Sequence, residues 1–329
     1  MKKILLITTG GTIASVASND GLIPNNKVLD NFINSFLNEY QIEILDLFNL
    51  DSSNIQPEEW VKIACSIHDN MNFFDGIVVT HGTDTMAYTA SILSYMLKNI
   101  SIPVVLTGSQ LPINHSLTDA MDNLRLALKM AESGTSGIFI AFNRKIILGT
   151  RAVKVRTTAF DAFESVNHPN VGTVDSKGLV IDEKAIYKAK GSFEFNPLVS
   201  DDVFLVKLIP GFNPKIFEML KDMKYKGIII EAFGAGGLHF VRRNLVAEIK
   251  MILDSGIPVV VCSQCLYEKS NFNIYQTGRE VLKVGAIEAS DMTTEAAVTK
   301  LMWAIGCGMN IEEIRNLFRT NIAGEIAIE

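Results

Sequence analysis

Two turns carry the residue types that could do covalent chemistry. Residues 8–15 read TTGGTIAS and follow the apolar run MKKILLI, while residues 80–86 read THGTDTM and follow GIVV. Each turn puts a hydroxyl at the end of a strand-like stretch: Thr12 in the first, and Thr83 with Asp84 beside it in the second. A threonine hydroxyl is a weak nucleophile at its free pKa and needs an activating base. Asp84 can orient such a partner or hold a substrate ammonium group. A lysine kept neutral by burial could take the proton from Thr83, although composition alone does not choose that lysine among the others.

Other readings of the glycine turn fit less well. A dinucleotide fingerprint requires G-x-G-x-x-G, and here Thr12 and Ser15 stand where glycines belong. A phosphate-binding P-loop would end in Gly-Lys-Ser/Thr, which is absent. An isolated TGGT reads as a tight turn with glycines at positive φ and Thr12 as a helix cap. The second threonine turn shifts that balance, because two threonines at the carboxyl ends of strands in one sheet could face one cleft.

The elements that must position these turns follow from the hydrophobic pattern. KILLITT, DGIVVTHG and IPVVLTGS are near-continuous apolar runs that end in polar or glycine turns, as buried parallel strands do. Between them, PEEWVKIACSIHDNM, TMAYTASILSYMLKN and TDAMDNLRLALKMAES carry one apolar stripe each at helical spacing. This alternation predicts an α/β fold with a large N-terminal, parallel-rich sheet covered by helices on both faces. Periodicity is lost in the mixed stretch after residue 181 and restarts with VFLVKLIPG, KGIIIEAFGAGG and IPVVVCSQ. The expected organisation is an N-terminal domain over 1–181, a linker over 182–200 and a smaller C-terminal α/β domain over 201–329. In open α/β sheets, ligands bind beyond the carboxyl ends of the strands. TTGGTIAS, LDSSN, THGTDTM and TGSQLP occupy those places.

Composition narrows the class of function. The 329 residues are 48% hydrophobic with a net charge of −6, which suits a large core and a soluble chain. No basic block or aromatic–basic interleaving suggests a nucleic-acid partner. No apolar run approaches the roughly 20 residues of a membrane span. The apolar stretch after Lys2 and Lys3 is too short for a signal peptide, so it is read as a first strand in a cytoplasmic protein. Of the four cysteines, Cys262 and Cys265 have CxxC spacing, but no second pair accompanies them. They and Cys65 and Cys307 are read as structural thiols of a reducing compartment.

Taken together, TTGGTIAS and THGTDTM resemble the bacterial- and archaeal-type L-asparaginases. The likeness extends over LDSSNIQPEEW, AFDAFESVNHPNV, KLIPG, YKGIIIEAFGAGG, SDMTTEAAVTKLMW and NIAGEI. DSS and HGTDTMAYTAS, with no signal peptide, are similar to the cytoplasmic type I branch. The resemblance implies hydrolysis of L-asparagine to L-aspartate and ammonia through a threonine acyl-enzyme, with no metal or organic cofactor. Thr12 matches the usual nucleophile. Thr83, Asp84 and Lys154, in RAVKVR, match a Thr–Lys–Asp relay. Ser52 matches the residue that holds the substrate α-carboxylate, with Asp51 and Ser53 in the same turn, and Asp84 matches the carboxylate that receives the α-ammonium. Ser109 sits where a backbone carbonyl accepts a hydrogen bond from the leaving amide. A homotetramer or homodimer is implied.

Two positions depart from that pattern. Leu22 stands where the mobile N-terminal loop of relatives carries a tyrosine, and Glu231 stands where some type I relatives with an effector site carry an arginine. His81 is read as a structural hydrogen-bonding residue, Asp119 as a helix cap, and His239 as part of a strand-end loop in the second domain. The competing functions are a non-catalytic amino-acid sensor, a glutamine-preferring amidohydrolase and a component of a tRNA-dependent amidotransferase. Relatives of the last kind carry an extra N-terminal domain, whereas this chain starts at its first strand.

Overall fold

The computed structural model describes residues 1–18, 21–188 and 190–327. The chain forms two compact units, Met1–Pro197 and Leu198–Glu329. In the first unit the elements are β1 (Lys2–Gly10), β2 (Ser15–Ser18), β3 (Gly21–Pro24), α1 (Lys27–Ile33), β4 (Tyr40–Leu50), α2 (Pro57–Asn70), β5 (Gly76–Thr80), α3 (Met86–Met96) and β6 (Leu97–Lys98). They continue with β7 (Pro103–Thr107), α4 (Ala120–Glu132), β8 (Gly137–Phe142), β9 (Lys145–Leu148), β10 (Ala152–Lys154), β11 (Phe163–Ser165), β12 (Gly172–Asp175), β13 (Gly178–Ile181) and β14 (Glu194–Phe195).

Eight of these strands form one sheet in the order β13-β12-β9-β8-β7-β5-β1-β4. The five from β4 to β8 run parallel, and β9, β12 and β13 add an antiparallel flank. Alternate residues of a strand point to opposite faces. Ile4, Leu6, Val78, Val105 and Phe139 pack with Leu124, Leu128 and Ala131 of α4 on one face. Leu5, Ile7, Ile77, Val79, Val104 and Leu106 point the other way and are equally buried. Both faces are therefore covered, as the near-continuous apolar runs predicted. Helix α4 lies so close that a Cβ on Gly76 would fall 2.1 Å from the Ala131 carbonyl oxygen.

The stretch expected as a linker is structured over its later part. Its β14 pairs antiparallel with β6, and Lys98 bridges to Glu194 at 3.1 Å. Leu22 lies on β3, whose backbone pairs with β2 in a hairpin, while residues 19 and 20 and the Leu22 side chain lie outside the described residues.

The second unit comprises β15 (Val203–Lys207), α5 (Ile216–Asp222), β16 (Gly227–Ala232), α6 (Leu245–Asp254), β17 (Val259–Ser263), α7 (Gln276–Lys283), β18 (Ile287–Glu288), α8 (Thr294–Gly306) and α9 (Ile311–Arg319). Its four strands are parallel in sequence order. Ile228, Ile230 and Val261 pack on α5, α6 and α7. Ile229, Val260 and Cys262 pack on α8 and α9. A fully buried ion pair, Lys300 to Glu325, ties the C-terminal segment to α8. Glu325 also accepts from the backbone N–H groups of Ile322 and Ala323, and Lys300 donates to the Thr320 carbonyl at 3.0 Å.

Cys262 is buried on β17, Cys65 is half-buried and Cys265 is exposed. Burial pushes the Cys262 thiol up to about 12. Among the described residues, no group of three or more His, Cys, Asp or Glu side chains could hold a metal ion. Among the same residues, no helix is long and apolar enough to cross a membrane.

Candidate active site

Four turns follow the carboxyl ends of the adjacent parallel strands β4, β1, β5 and β7. They carry every first-unit candidate residue except Lys154. The turn after β1 is squeezed from both sides. Gly10 and Gly11 have φ of 102° and 79°, a region that favours glycine. A Cβ on Gly10 would lie 2.4 Å from the Leu50 carbonyl oxygen, and one on Gly11 would lie 2.4 Å from the Gly82 nitrogen. The glycine pair therefore lets the Thr12 turn nest between the turns that follow β4 and β5. Thr12 opens a 3-10 turn and is half-buried, and the capping position falls on Gly11 with no side-chain cap bond. Thr12 is thus not the helix cap that an isolated TGGT suggests.

In the turn after β4, Asp51 caps the next 3-10 turn by accepting from the Ser53 N–H at 2.8 Å and the Ser53 hydroxyl at 2.6 Å. Ser52 is buried and bonded to the neighbouring turn. Its Oγ accepts from the Asp84 N–H at 3.2 Å, and its carbonyl accepts from the Thr85 hydroxyl at 2.7 Å. A hydroxyl oxygen that accepts one bond still has its own proton to donate, so Ser52 can serve an incoming carboxylate.

The turn after β5 meets Lys154 at the end of β10. Lys154 Nζ donates to Thr83 Oγ1 at 2.8 Å and to Asp84 Oδ1 at 2.6 Å. The Lys154 side chain is 18% exposed and that of Asp84 60%, so the amine is sheltered while the carboxylate is open to a ligand. The tertiary fold thus selects the lysine that composition could not.

His81 is fully buried and takes the structural part expected of it. Its Nδ1 lies 2.7 Å from the Gly82 carbonyl, which can only accept, so Nδ1 carries the ring proton. Nε2 then accepts from the Thr89 hydroxyl at 2.9 Å, and Trp60 Nε1 donates to the Thr89 oxygen at 3.0 Å. Burial holds the imidazole neutral by lowering its pKa to about 4. The chain of donors pins the peptide that precedes Thr83.

In the turn after β7, Ser109 is buried with its hydroxyl donating to the Leu111 carbonyl, so its side chain has no proton left to give a ligand. Asp119 departs from its expected role. It precedes α4 but makes no side-chain cap bond. Its carboxylate instead accepts from the Gln110 N–H at 3.0 Å and the Leu111 N–H at 3.1 Å. Gln110, within TGSQLP, was not singled out by the sequence, yet its Oε1 lies 3.5 Å from Thr83 Oγ1.

Two other residues lie in the second unit. Glu231 accepts from the Thr294 hydroxyl at 2.7 Å and pairs with Lys207 at 3.1 Å, so both its oxygens have partners. His239 lies between β16 and α6, half-buried, with burial and the nearby Arg243 charge lowering its pKa.

Comparison with known proteins identifies the family of the chain. Residues 3–187 match the family described as Asparaginase, N-terminal, and residues 202–318 match the Glutaminase/Asparaginase C-terminal domain. The chain is 42% identical over 327 residues to an L-asparaginase of Thermococcus kodakarensis, covering 98% of this chain and 99% of that one. It is 34% identical over 340 residues to a Glutamyl-tRNA(Gln) amidotransferase component of Pyrococcus abyssi, covering 99% of this chain and 77% of that one. Its fold is similar to that of the thermostable L-asparaginase from Thermococcus kodakarensis, with a TM-score of 0.92 at 40% identity over 99% of this chain and 100% of that one. It is also similar to L-asparaginase I from Vibrio cholerae, with a TM-score of 0.89 at 28% identity over 99% of each chain. With both domain types matched in order along its length, the chain belongs to the asparaginase family.

Proposed function

We propose that the chain is an L-asparagine amidohydrolase that works through a threonine acyl-enzyme. The observation that carries this reading is Lys154 Nζ bridging Thr83 and Asp84 at 2.8 and 2.6 Å, at the mouth shared by the Thr12 and Ser52 turns. A small zwitterionic amide needs one carboxylate and one donor-rich clamp to lock its carboxamide against a nucleophile. Asp84 supplies the carboxylate for the α-ammonium, and the Ser52 hydroxyl supplies a donor for the α-carboxylate, in a turn that the Asp51–Ser53 bonds hold in shape.

Thr12 Oγ1 then attacks the carboxamide carbon. Its proton leaves with the departing nitrogen, so the C–N bond breaks, ammonia is released and an ester to Thr12 remains. The Ser109 carbonyl accepts from the leaving amide. Backbone N–H groups of the strand-end turns stabilise the oxyanion. The Thr83–Lys154–Asp84 relay moves protons, with Lys154 neutral when it acts as base. Water completes the cycle by cleaving the ester to L-aspartate.

The test is ammonia release from L-asparagine and from L-glutamine, with Thr12→Ala beside the parent. Loss of turnover by about 10^4-fold in Thr12→Ala is expected, and an acyl adduct on Thr12 should be trapped by rapid quench and mass spectrometry. Thermal stabilisation by L-aspartate without turnover would instead favour an amino-acid sensor. The 34% likeness to the amidotransferase component of Pyrococcus abyssi motivates the glutamine arm. A cytoplasmic homotetramer or homodimer completes the proposal. The cytoplasmic location is supported by likeness to the probable cytoplasmic L-asparaginase from Campylobacter jejuni at 26% identity and a TM-score of 0.82.

A further inference from the structure

The Gln110 carboxamide touches both segments that carry the relay. Its Nε2 donates to the Thr157 carbonyl at 3.1 Å and the Ala159 carbonyl at 2.9 Å. Both carbonyls belong to the loop that leaves β10 just after Lys154. Two carbonyl acceptors fix which end of the amide is nitrogen, so the oxygen must face the opposite way. There Oε1 meets Thr83 Oγ1 at 3.5 Å. Thr83 already receives the Lys154 N–H at 2.8 Å, so the threonine's single proton is directed at Gln110. At 3.5 Å this is longer than an ordinary O–H···O hydrogen bond, so the carboxamide's firm contacts are those of Nε2 and Oε1 is the nearby acceptor toward which the hydroxyl turns.

The bridge is anchored at both ends. Asp119 accepts from the Gln110 and Leu111 N–H groups and from Asn123 Nδ2 at 3.0 Å. Asn123 Nδ2 also donates to the Gly108 carbonyl at 3.0 Å, and Asn123 Oδ1 accepts from the Asn143 N–H at 2.8 Å. On the far side, Asp161 fixes the loop by accepting from Lys145 Nζ at 2.6 Å and Asn143 Nδ2 at 3.2 Å. The turn between β8 and β9 thus braces both sides of the bridge.

We propose that Gln110, held by Asp119, is a positioning residue for the Thr83–Lys154 pair. It keeps the loop behind Lys154 at a set distance from Thr83. It also gives the Thr83 proton an acceptor in the resting enzyme, which leaves a Thr83 lone pair turned to Lys154. When the relay fires, with Lys154 acting as the neutral amine that the proposed function requires, the Thr83 hydroxyl proton passes to Lys154 Nζ, leaving a Thr83 alkoxide and a Lys154 ammonium, and Gln110 itself neither gains nor loses a proton. The inference rests on the relay taking part in amide hydrolysis, as proposed above.

The test measures ammonia release from L-asparagine by the parent, Gln110→Met, Asp119→Asn and the double variant, with unfolding midpoints beside the kinetics. Gln110→Met keeps the shape and removes both polar ends. Its kcat should fall about 10- to 100-fold with KM within about threefold of the parent. Because Asp119 acts through Gln110, the double variant should be no slower than the slower single variant by more than about twofold. Should Asp119→Asn fail to fold, Gln110→Glu replaces it: the added oxygen faces two carbonyls, and kcat should again fall with KM little changed. Full kcat in folded Gln110→Met, losses that multiply in the double variant, or a change confined to KM would each overturn the inference. A parent that releases no ammonia sinks the functional reading itself. An active parent beside a fully active Gln110→Met sinks only this inference.

Discussion

Lys154 Nζ lies 2.8 Å from Thr83 Oγ1, although the two residues are 71 positions apart in the chain. One comes from a turn at the end of a central parallel strand. The other comes from a short antiparallel ribbon, β10–β11, outside the main sheet. A side chain delivered from a separate element can approach the hydroxyl directly, while His81 within the THGTDTM turn is occupied with holding the Gly82 carbonyl.

Removing that amine should stop the relay without unfolding the protein. Lys154→Met is expected to lower kcat for ammonia release by about 10^2- to 10^4-fold, the usual range for loss of a general base. Circular dichroism should be unchanged, because methionine keeps the length and apolar stem of the half-buried lysine. A variant that retains more than about a tenth of the parental kcat would show that Lys154 is not the base.

His81 predicts a pH dependence of stability. Its folded pKa is lowered to about 4 from an ordinary 6.5, so the unfolded chain binds the extra proton first as pH falls. The sign follows directly. The contribution is fully present above pH 6.5, is lost progressively as pH falls towards the folded value near 4, and changes no further below it. From pH 7 to pH 5 the parent should lose about 2 kcal/mol more than His81→Asn. Urea titrations of both proteins at the two pH values read this difference. Parallel losses in parent and variant would mean that His81 is not held neutral.

The buried Lys300–Glu325 pair should be expensive to break from one side. Both side chains are 0% exposed, and desolvation lowers the Lys300 pKa despite its partner. Glu325→Gln leaves a lysine without its counter-charge and should cost about 3–5 kcal/mol in a guanidinium titration. Adding Lys300→Met to that variant removes the remaining charge and should recover part of the loss. If the double variant is as unstable as the single, the Glu325 contacts to the Ile322 and Ala323 N–H groups carry the stabilisation instead.

The sequence by itself determined the alternation of buried strands and amphipathic helices. It also determined the glycine pair before Thr12 and the polar turns at the strand ends. These are local matters: period, turn chemistry and the φ range open to glycine act within a few residues. That both glycines are required by neighbouring turns, at Leu50 and at Gly82, became visible only when the sheet order brought β4, β1 and β5 side by side. Asp119 shows the same limit. Its place before a helix reads locally as a cap, but a turn nine residues away offers its carboxylate two N–H groups, and those bonds win. The choice of Lys154 among the lysines, the direction of the Gln110 amide and the neutral state of His81 were decided by tertiary structure alone. Each depends on which distant groups share one small volume from which water is excluded, and no local pattern encodes that.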